Sequence, residues 1–471
     1  MQEKGILVGG KWLKTSRKIA VVNPYSMQPI AEVCMADGDE LEEAILSASN
    51  SAKKIRELSR FQIARALRSI ADGIERRKFD FIRSIAEESA KPLIYARAEV
   101  ERAIATFNWA SGEAERFVGE VVPIDTQPAG KGKIGWTQRV PRGVIFGITP
   151  FNFPLNLVAH KVAPALASGN AIIIKPSSKT PLTALLLGEV FLESGLPESA
   201  LQILPMNSGL VSAIFEDERI KMISFTGSAE VGWKLKAQAP KKAITLELGG
   251  NAPVIVDETA DLDKSVERSI FGAFSYSGQV CISVQQIFVH SSIFNQWTEK
   301  FVAQAKSLRR GDPLDEKTQI SSMIDEEAAK KTEKWVKEAV ESGAKILCGG
   351  IREGSFYAPT VLTNTSPEMK VVSEEIFAPV AVVEQFSEFE EAVEMANQTK
   401  YGLQAGVFTQ NFARMRYAFD NLEYGGVIIN DVPTFRVDNM PYGGVKDSGW
   451  GREGLRYAMQ EMTEIRLMVA S

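Results

Sequence analysis

One cysteine lies in SGQVCISVQQ, residues 277–286, between a glycine-containing turn and a run that alternates like a strand. Free cysteine is among the most buried residue types, so Cys281 can be interpreted as a small, inert hydrophobe. The other interpretation is a nucleophile, because a thiolate attacks electrophilic carbon when its surroundings support the charge. The choice between them depends on polar side chains elsewhere in the chain.

Two polar side chains occupy unusual positions in apolar sequence. Glu247 ends the apolar run of AITLELGGN, beside two glycines that permit another backbone to approach closely. A glutamate there must either reach solvent or occupy a site in which its pKa is raised. Asn152 lies between two prolines in ITPFNFPLN, from where its amide can be aimed at a developing oxyanion. Glu247 and Asn152 are therefore the candidate partners of Cys281.

Two strand ends are candidates for binding phosphate or ribose. In MISFTGSAEVGWKL, Gly227 permits a turn and Ser228 can cap the helix that follows, so N–H groups face an anion; an ordinary strand–helix turn is the alternative. In AIIIKPSSKTP, Lys175 ends a strand, where it suits ribose or phosphate or is a solvated charge. The G-x-G-x-x-G matches at 130–135 and 449–454 follow no convincing strand, and we interpret them as chance matches.

The periodicity of the chain predicts the elements that position these residues. Residues 37–119 place apolar side chains at three- and four-residue steps, which predicts a layer of helices. From Pro141, and again from near Asn251, short apolar runs alternate with helical segments, which predicts parallel sheets covered on both faces. The segment PIDTQPAGKGKIGWTQRVPRG is rich in Gly, Pro and Lys and predicts an exposed hairpin that pairs with another subunit. Two α/β units that meet near LELGGN are expected.

Composition excludes several classes of protein. At 471 residues, with 45% hydrophobic and 24% charged residues, the chain is expected to form two to four globular units. A net charge of -5 argues against a broad nucleic-acid surface. Three separated cysteines fit a reducing cytoplasm, and neither a signal peptide nor an apolar run of membrane-spanning length is recognisable. A soluble cytoplasmic protein without nucleic-acid or membrane partners is expected.

Metal and serine-hydrolase chemistry are not expected. The chain has only two histidines, His160 and His290, and it has no CxxC pair, so a structural or catalytic zinc site is not predicted. No GxSxG nucleophile elbow is present either.

Six motifs resemble those of the aldehyde dehydrogenase superfamily, in the family's order and over almost the whole chain. They are TPFNFP (149–154), FTGS (225–228), LELGG (246–250), GQVC (278–281), EEIFAP (374–379) and PYGGVKDSGWGREG (441–454). The resemblance implies an α/β fold with two doubly wound domains, a Rossmann-like cofactor domain and a catalytic domain, plus a small β oligomerisation element. The implied boundaries are 1–123 and 141–248 for the dinucleotide-binding domain, 249–437 for the catalytic domain, 124–140 and 455–471 for the oligomerisation element, and 438–454 for the return to the cofactor domain. A homodimer or homotetramer is implied.

The resemblance assigns a role to each candidate catalytic residue. Cys281 attacks the aldehyde carbon, and the Asn152 amide with the Cys281 N–H stabilises the oxyanion of the thiohemiacetal. Loss of hydride to the nicotinamide leaves a thioester, and Glu247 then activates water to hydrolyse it. Lys161 and Glu464 match family positions thought to relay the proton outward.

The resemblance also implies NAD or NADP as cofactor, bound without a G-x-G-x-x-G loop. Residues at the family's cofactor positions are Thr149, Phe151, Lys175, Ser178, Gly227, Ser228, Leu248, Glu375 and Phe377. Many NAD-preferring members carry a glutamate where this chain has Ser178, followed by Lys179. The missing carboxylate removes repulsion against a 2′-phosphate, so the use of NADP is compatible with this sequence.

The implied substrate is a short, polar or anionic aldehyde, such as lactaldehyde, glyceraldehyde or a phospho, sulfo or phosphono relative. Residues at the family's substrate positions are Phe153, His160, Ile282, Phe435, Arg436 and Arg102. His160, Arg436 and Arg102 are expected to anchor a hydroxyl or anionic group, although the two arginines are equally interpreted as surface or interface ion pairs.

Two alternative functions remain at this stage. In a CoA-acylating semialdehyde dehydrogenase a thiol rather than water resolves the thioester, but those members usually lack the glutamate present here as Glu247. A non-catalytic protein on the same fold is the other alternative, and the presence of Cys281, Glu247 and Asn152 together argues against it.

Overall fold

The computed structural model describes residues 2–471, in which helices and strands alternate along most of the chain. The helices are α1 (Gly38–Arg56), α2 (Arg60–Arg76), α3 (Lys78–Ser89), α4 (Leu93–Arg116), α5 (Asn156–Ala167), α6 (Leu182–Leu192), α7 (Ala213–Glu216), α8 (Ala229–Gln238), α9 (Leu262–Phe274), α10 (Phe294–Ser307), α11 (Glu326–Glu341), α12 (Lys370–Ser373), α13 (Phe389–Asn397), α14 (Phe412–Asn421) and α15 (Leu455–Glu461).

Most of the strands are short, and most belong to two large sheets. They are β1 (Gln2–Lys4), β2 (Ile6–Val8), β3 (Lys11–Leu13), β4 (Lys18–Val22), β5 (Pro29–Cys34), β6 (Val121–Val122), β7 (Ile134–Pro141), β8 (Val144–Ile148), β9 (Ala171–Lys175), β10 (Leu201–Ile203), β11 (Ile220–Thr226), β12 (Ala243–Glu247), β13 (Ala252–Val256), β14 (Val284–His290), β15 (Lys345–Cys348), β16 (Arg352–Glu353), β17 (Phe356–Tyr357), β18 (Thr360–Thr363), β19 (Val380–Phe386), β20 (Gln404–Phe408), β21 (Gly426–Ile429), β22 (Gly449–Trp450) and β23 (Thr463–Ala470).

The first large sheet has eight strands in the order β22-β12-β11-β8-β9-β10-β2-β3. Its five central strands, β12 to β10 in that order, are parallel. Ile145 of β8 packs in one core and Phe146 in the core on the opposite face, so the sheet is buried on both sides. The chain leaves β8 toward β9 and later returns to β11 on the other side of β8. The carboxyl ends of β8 and β11 therefore flank a topological switch point, where ligands bind in open α/β sheets.

The second large sheet has seven strands in the order β15-β18-β19-β14-β13-β20-β21. The predicted α/β fold with two parallel-sheet units is therefore confirmed. The predicted helical layer corresponds to α1 through α4, and the first two of these helices begin with capping boxes, Asp37 with Glu40 and Ser59 with Gln62.

The Gly-, Pro- and Lys-rich segment forms a separate small sheet. Strand β7 pairs with β6 and, along its whole length, with the C-terminal strand β23. The side chains of β23 after Thr463 are exposed, including Ile465 and Leu467. A predicted hairpin is present here, and it leaves an apolar strand uncovered in the single chain.

Candidate active site

The connection between the two sheets determines where the candidate catalytic residues lie. Strand β12 ends at Glu247 and β13 begins at Ala252, so only four residues cross from one sheet to the other. Strand β14 lies beside β13 in parallel, with Val284 opposite Ala252, which brings the turn before β14 next to this crossing. A Cβ added to Gly250 would lie 2.5 Å from the Cys281 carbonyl oxygen. A glycine is therefore required where the cysteine backbone approaches.

The turn that carries Cys281 has an unusual backbone. Tyr276, Ser277 and Gly278 have φ values of 48°, 53° and 67°, in the left-handed region that side chains rarely adopt. The Ser277 hydroxyl donates to the Ser321 carbonyl at 2.7 Å, and Gly278 packs against the Ala378 carbonyl too closely for any Cβ. Strain of this kind persists only where surrounding contacts hold it, and it is common at functional sites.

Asn152 is held by a buried ion pair behind its loop. Lys91 and Glu99 are both fully buried and paired with each other, and Lys91 Nζ also donates to the Asn152 carbonyl at 2.6 Å. Glu99 Oε1 accepts from the N–H groups of Leu155 and Asn156 at 2.9 and 3.1 Å, at the start of α5. The pair thus fixes both ends of the loop. Asn152 Nδ2 donates one N–H to the Gln279 carbonyl at 3.0 Å, which leaves its second N–H available.

A cavity of about 260 Å³ opens on the switch-point side of Cys281, and we call it the carboxylate cavity. It is lined by Pro150, Phe151, Asn152, Leu157, Thr226, Gly227, Ser228, Glu247, Leu248, Gly249, Cys281, Lys331, Glu375 and Phe377. Burial, and then the charge of Glu453, raise the pKa of Glu247 well above its usual range. Burial raises the pKa of Glu375 to about 7. Neither carboxyl oxygen of Glu247 has a hydrogen-bond partner within residues 2–471, so this group is free to hold or accept a proton.

A second cavity, of about 250 Å³, lies on the other side of the cysteine turn, and we call it the arginine cavity. It is lined by Lys91, Tyr95, Ala98, Glu99, Arg102, Phe153, Arg268, Phe271, Ser275, Tyr276, Val280, Thr434, Phe435 and Arg436. The neighbouring residues Val280 and Cys281 thus face different cavities. The Nε atom of Arg436 is buried and lacks a partner within the described chain. An unpartnered buried guanidinium N–H fits an anionic or hydroxyl group of a ligand.

Buried carboxylates hold the cations of this region in place. Arg436 Nη2 donates to Glu453 Oε2 at 3.0 Å and lies 3.1 Å from His160 Nδ1. His160 Nε2 lies 2.8 Å from Asp438 Oδ1, which also accepts from Arg102 Nη2 at 2.9 Å. Burial opposes ionisation of Asp438, but His160 and the two arginines outweigh it and hold the pKa of Asp438 well below its usual range. The arginines are therefore fixed in position.

The structure corrects three of the residue roles expected from the sequence. Glu464 lies on β23, is largely exposed and accepts from Arg142 Nη1 at 2.7 Å, because pairing with β7 carries it away from Lys161. The carboxylate beside Lys161 is Glu453, at 3.2 Å from Nζ. His160 has both ring nitrogens occupied by protein groups and does not line the arginine cavity.

The third correction concerns Ile282. The structure also differs from the expectation at Ser228, whose side chain was expected to cap a helix. Ile282 is buried in a cluster with Leu403 and Tyr442 and lines neither cavity. Ser228 stands at the N-cap position of α8, as expected, but its side chain makes no capping hydrogen bond. Its hydroxyl is therefore not engaged by the helix that it precedes.

The predicted cofactor residues surround the carboxyl ends of β8, β9 and β11. Phe151, Gly227, Ser228, Leu248, Glu375 and Phe377 line the carboxylate cavity. The rings of Phe151 and Phe377 make an edge contact at 5.9 Å between centroids. Thr149 and Lys175 lie at the ends of β8 and β9, outside the cavity wall, and Ser178 lies exposed in the following turn.

Lys175 provides a test of whether this edge fits a dinucleotide. Burial lowers its pKa, and its ammonium forms no ion pair within residues 2–471. A half-buried lysine without a carboxylate partner, at the carboxyl edge of a parallel strand, fits the ribose or phosphate groups of a dinucleotide. The residues present therefore fit this cofactor.

Sequence reasoning missed several residues of the site. Tyr442 and Glu453 both lie inside the motif PYGGVKDSGWGREG, so the motif could have identified them as candidate site residues. Arg268, Asp438 and the Lys91–Glu99 pair carry no comparable signal, because only the folded chain brings them to the site.

Comparisons with known proteins show the family of this chain. The profile of the aldehyde dehydrogenase family matches residues 12–468. The chain belongs to the aldehyde dehydrogenase family. A 3-sulfolactaldehyde dehydrogenase of Priestia aryabhattai is 42% identical over 470 residues, which are 100% of this chain and 98% of the relative. The enzyme is therefore an NAD(P)-dependent aldehyde dehydrogenase.

Two solved structures of the same family are also similar to it. Aldehyde dehydrogenase 21 of Physcomitrella patens, in complex with the reaction product succinate, has a TM-score of 0.98 and 41% identity, covering 100% of this chain and 98% of its own. Glyceraldehyde-3-phosphate dehydrogenase GapN of Methanocaldococcus jannaschii, complexed with NADP, has a TM-score of 0.93 and 40% identity, covering 97% and 100%. Within residues 2–471, no helix has the length and apolar character needed to span a membrane.

Proposed function

We propose that this aldehyde dehydrogenase oxidises a short, anionic aldehyde to the free carboxylic acid, with Cys281 as the nucleophile and Glu247 as the general base of hydrolysis. The observation that carries the proposal is the position of the cysteine turn between the two cavities. One cavity holds two carboxyls with raised pKa values, and the other holds three arginines.

The first half of the reaction forms a covalent bond to Cys281. Its thiolate attacks the aldehyde carbon, and the carbonyl oxygen becomes an oxyanion. The free N–H of the Asn152 amide and the Cys281 backbone N–H then donate to that oxygen. The Lys91–Glu99 pair keeps the Asn152 loop in place while the charge develops. When bound, NAD(P)+ accepts the hydride released as the thiohemiacetal becomes a thioester.

The second half of the reaction requires a base for water. Glu247 lines the same cavity as Cys281, and its carboxyl oxygens have no protein partner within the described chain. Its raised pKa suits proton abstraction from water near neutral pH. Hydrolysis of the thioester releases the acid and restores the thiol. Lys161 and Glu453, rather than Glu464, stand beside Glu247 as the proton-relay candidates.

The cofactor contacts are proposed from the residues at the switch point. Lys175 would bind the ribose or phosphate, Ser228 and Gly227 would hold the pyrophosphate, and Glu375 with Phe377 would hold the ribose of the nicotinamide side. The further proposed contacts are Thr149, Phe151, Leu248 and Ser178. Ser178 is small and uncharged, so it would neither fill the space of the 2′-phosphate of NADP nor repel it.

Anionic substrates are favoured by the charges of the arginine cavity. Arg102, Arg268 and Arg436 line this cavity. The Nε–H of Arg436 is buried and has no partner within residues 2–471. Phe153 and Phe435 supply apolar walls, which are consistent with a short carbon chain between the aldehyde and the anion. The named compounds of the three relatives reported above carry a sulfonate, a carboxylate or a phosphate.

The oligomeric state and the cellular location are also part of the proposal. We propose a homodimer or homotetramer formed through the sheet of β6, β7 and β23, whose exposed apolar side chains include Ile134, Ile465 and Leu467. The domain boundaries expected from the sequence, and a cytoplasmic location, are proposed with it.

A substrate panel tests the proposal. Formation of reduced cofactor is measured with NAD and with NADP for 3-sulfolactaldehyde, glyceraldehyde 3-phosphate and succinic semialdehyde, beside lactaldehyde, hexanal and benzaldehyde. We expect the highest kcat/KM among the three anionic aldehydes. Faster turnover of hexanal or benzaldehyde than of every anionic aldehyde would contradict the role of the arginine cavity.

A further inference from the structure

The hydroxyl of Tyr442 contacts the thiol of Cys281 directly. Tyr442 Oη lies 3.1 Å from Cys281 Sγ, within hydrogen-bond distance for sulfur, and this is its only such contact within residues 2–471. Tyr442 is 3% exposed, so water does not compete for the hydroxyl. A buried tyrosine normally directs its hydroxyl to a partner, and here that partner is the sulfur of the candidate nucleophile.

The ring of Tyr442 is fixed from two directions. Its backbone N–H and carbonyl pair with Glu453 at 3.0 and 2.7 Å in an isolated antiparallel bridge. The Arg436 guanidinium lies over the ring face, with Cζ 3.6 Å from the ring centroid. Glu453 in turn holds that guanidinium at 3.0 Å. The hydroxyl is therefore directed at the sulfur by a preformed arrangement, and the cation on the ring withdraws charge from the phenol.

The thiol of Cys281 needs such a donor because its surroundings disfavour the thiolate. Burial raises the pKa of Cys281 to about 11, while the hydrogen bond from Tyr442 and the charge of Arg436 oppose that rise. The carboxyls that face the thiol, Glu375 and Glu247, add to it when they are ionised. Burial also raises the pKa of Tyr442 well above its usual range, so the phenol keeps its proton and remains a donor.

We propose that Tyr442 is a catalytic residue: its hydroxyl donates a hydrogen bond to the Cys281 thiolate and stabilises the nucleophile before the aldehyde binds. This inference rests on the proposed role of Cys281. A phenylalanine at position 442 would fill the same space without the donor. The hydroxyl, rather than the ring, is thus the group that supports the nucleophile.

The test compares the native enzyme with Tyr442→Phe by alkylation with iodoacetamide across a pH series, without aldehyde. The Cys281 peptide is quantified by mass spectrometry, so Cys34 and Cys348, which are buried, do not contribute to the signal. Loss of a hydrogen bond to a charged group is expected to raise the apparent pKa of alkylation by about 1 to 2 pH units. The kcat/KM at neutral pH is expected to fall by about 10- to 100-fold and to recover as the pH rises.

The matched control is Tyr357→Phe, which removes the hydroxyl of a fully buried tyrosine in a different core cluster. Its alkylation profile is expected to coincide with that of the native enzyme. A Tyr442→Phe profile that also coincides with the native one would overturn the proposal.

A second variant keeps the test possible if Tyr442→Phe does not fold. Replacement of Tyr442 by 3-fluorotyrosine keeps the shape and makes the phenol more acidic, so the apparent pKa of Cys281 alkylation is expected to fall. An unchanged or raised value would overturn the proposal. Failure of the underlying role of Cys281 is distinguishable, because Cys281→Ser would then retain aldehyde-dependent cofactor reduction whatever the alkylation profiles show.

Discussion

The two cavities beside Cys281 have similar volumes, but carboxyls characterise the lining of one and arginines that of the other. In the carboxylate cavity, Glu247 and Glu375 have raised pKa values, and the Glu247 oxygens have no partner within residues 2–471. In the arginine cavity, Arg102 and Arg436 are held by buried carboxylates that remain ionised. The carboxylate cavity thus contains a carboxyl that can exchange protons, whereas the arginine cavity contains cations that ion pairs hold in place.

A single turn can thus serve two purposes, proton exchange on one side and recognition on the other. An unpartnered carboxyl with a raised pKa, such as Glu247, suits chemistry because its protonation can change during turnover. Cations that ion pairs hold in place suit recognition, because their position is fixed and Arg436 keeps one unpartnered N–H for a ligand. We therefore expect substitutions in the carboxylate cavity to affect mainly kcat, whereas those in the arginine cavity should affect mainly the choice of aldehyde.

The largest effect is expected from Glu247→Gln. The amide cannot accept the proton of water, so acylation continues while hydrolysis slows by about 10²- to 10⁴-fold. Stopped-flow absorbance should show a burst of reduced cofactor followed by a slow steady state. In the native enzyme the hydrolysis rate should rise with pH, because Glu247 is the active base only when ionised and its pKa is raised.

Glu88→Gln is the matched control for that prediction. Glu88 is also fully buried, with a pKa raised to about 8 by burial, but it accepts from the N–H groups of Leu182 and Thr183 at the start of α6. Native steady-state kinetics without a burst are expected. A burst-free and fully active Glu247→Gln enzyme would assign the general base to another group.

A smaller and more selective effect is expected from Arg102→Gln. Loss of the guanidinium should lower kcat/KM by about tenfold for anionic aldehydes and leave hexanal nearly unaffected. Arg97→Gln is the control, because Arg97 lies on the same helix but pairs with Glu316 at the surface. Equal losses for hexanal and anionic aldehydes would show that Arg102 supports the fold rather than recognition.

The smallest predicted change concerns the cofactor. Ser178→Glu restores a carboxylate near the expected 2′-phosphate, so kcat/KM with NADP should fall by about tenfold relative to NAD. Steady-state kinetics with both cofactors measure the ratio. Ser177→Glu, one residue earlier in the same turn, controls for added charge alone. An unchanged ratio in Ser178→Glu would place the 2′-phosphate elsewhere.

The sequence predicted the α/β fold for physical reasons. Apolar runs such as AIIIK and APVIV are buried in parallel strands, and the polar residues that follow them fall at sheet edges. Glu247, Cys281 and Asn152 could be selected as candidates because each lies within three residues of glycine or proline, and because the motifs around them resemble those of a known family.

The sequence could not show which carboxylates and cations of the site pair with each other. Glu464 and Glu453 lie in neighbouring segments, and only the pairing of β23 with β7 shows that Glu464 faces solvent. His160 was expected to reach the substrate, but Asp438 and Arg436, which are distant in sequence, occupy both of its nitrogens. Such pairings depend on tertiary contacts that leave no periodic pattern.

In the proposed mechanism, Cys281 carries the acyl group during turnover. The direct measurement is peptide mass spectrometry of Glu247→Gln, quenched with acid after mixing with cofactor and 3-sulfolactaldehyde, glyceraldehyde 3-phosphate or succinic semialdehyde. We expect the mass of the corresponding acyl group on the peptide that contains Cys281, and no added mass when cofactor is omitted. An acyl group on another residue, or turnover by Cys281→Ala at the native rate, would contradict it.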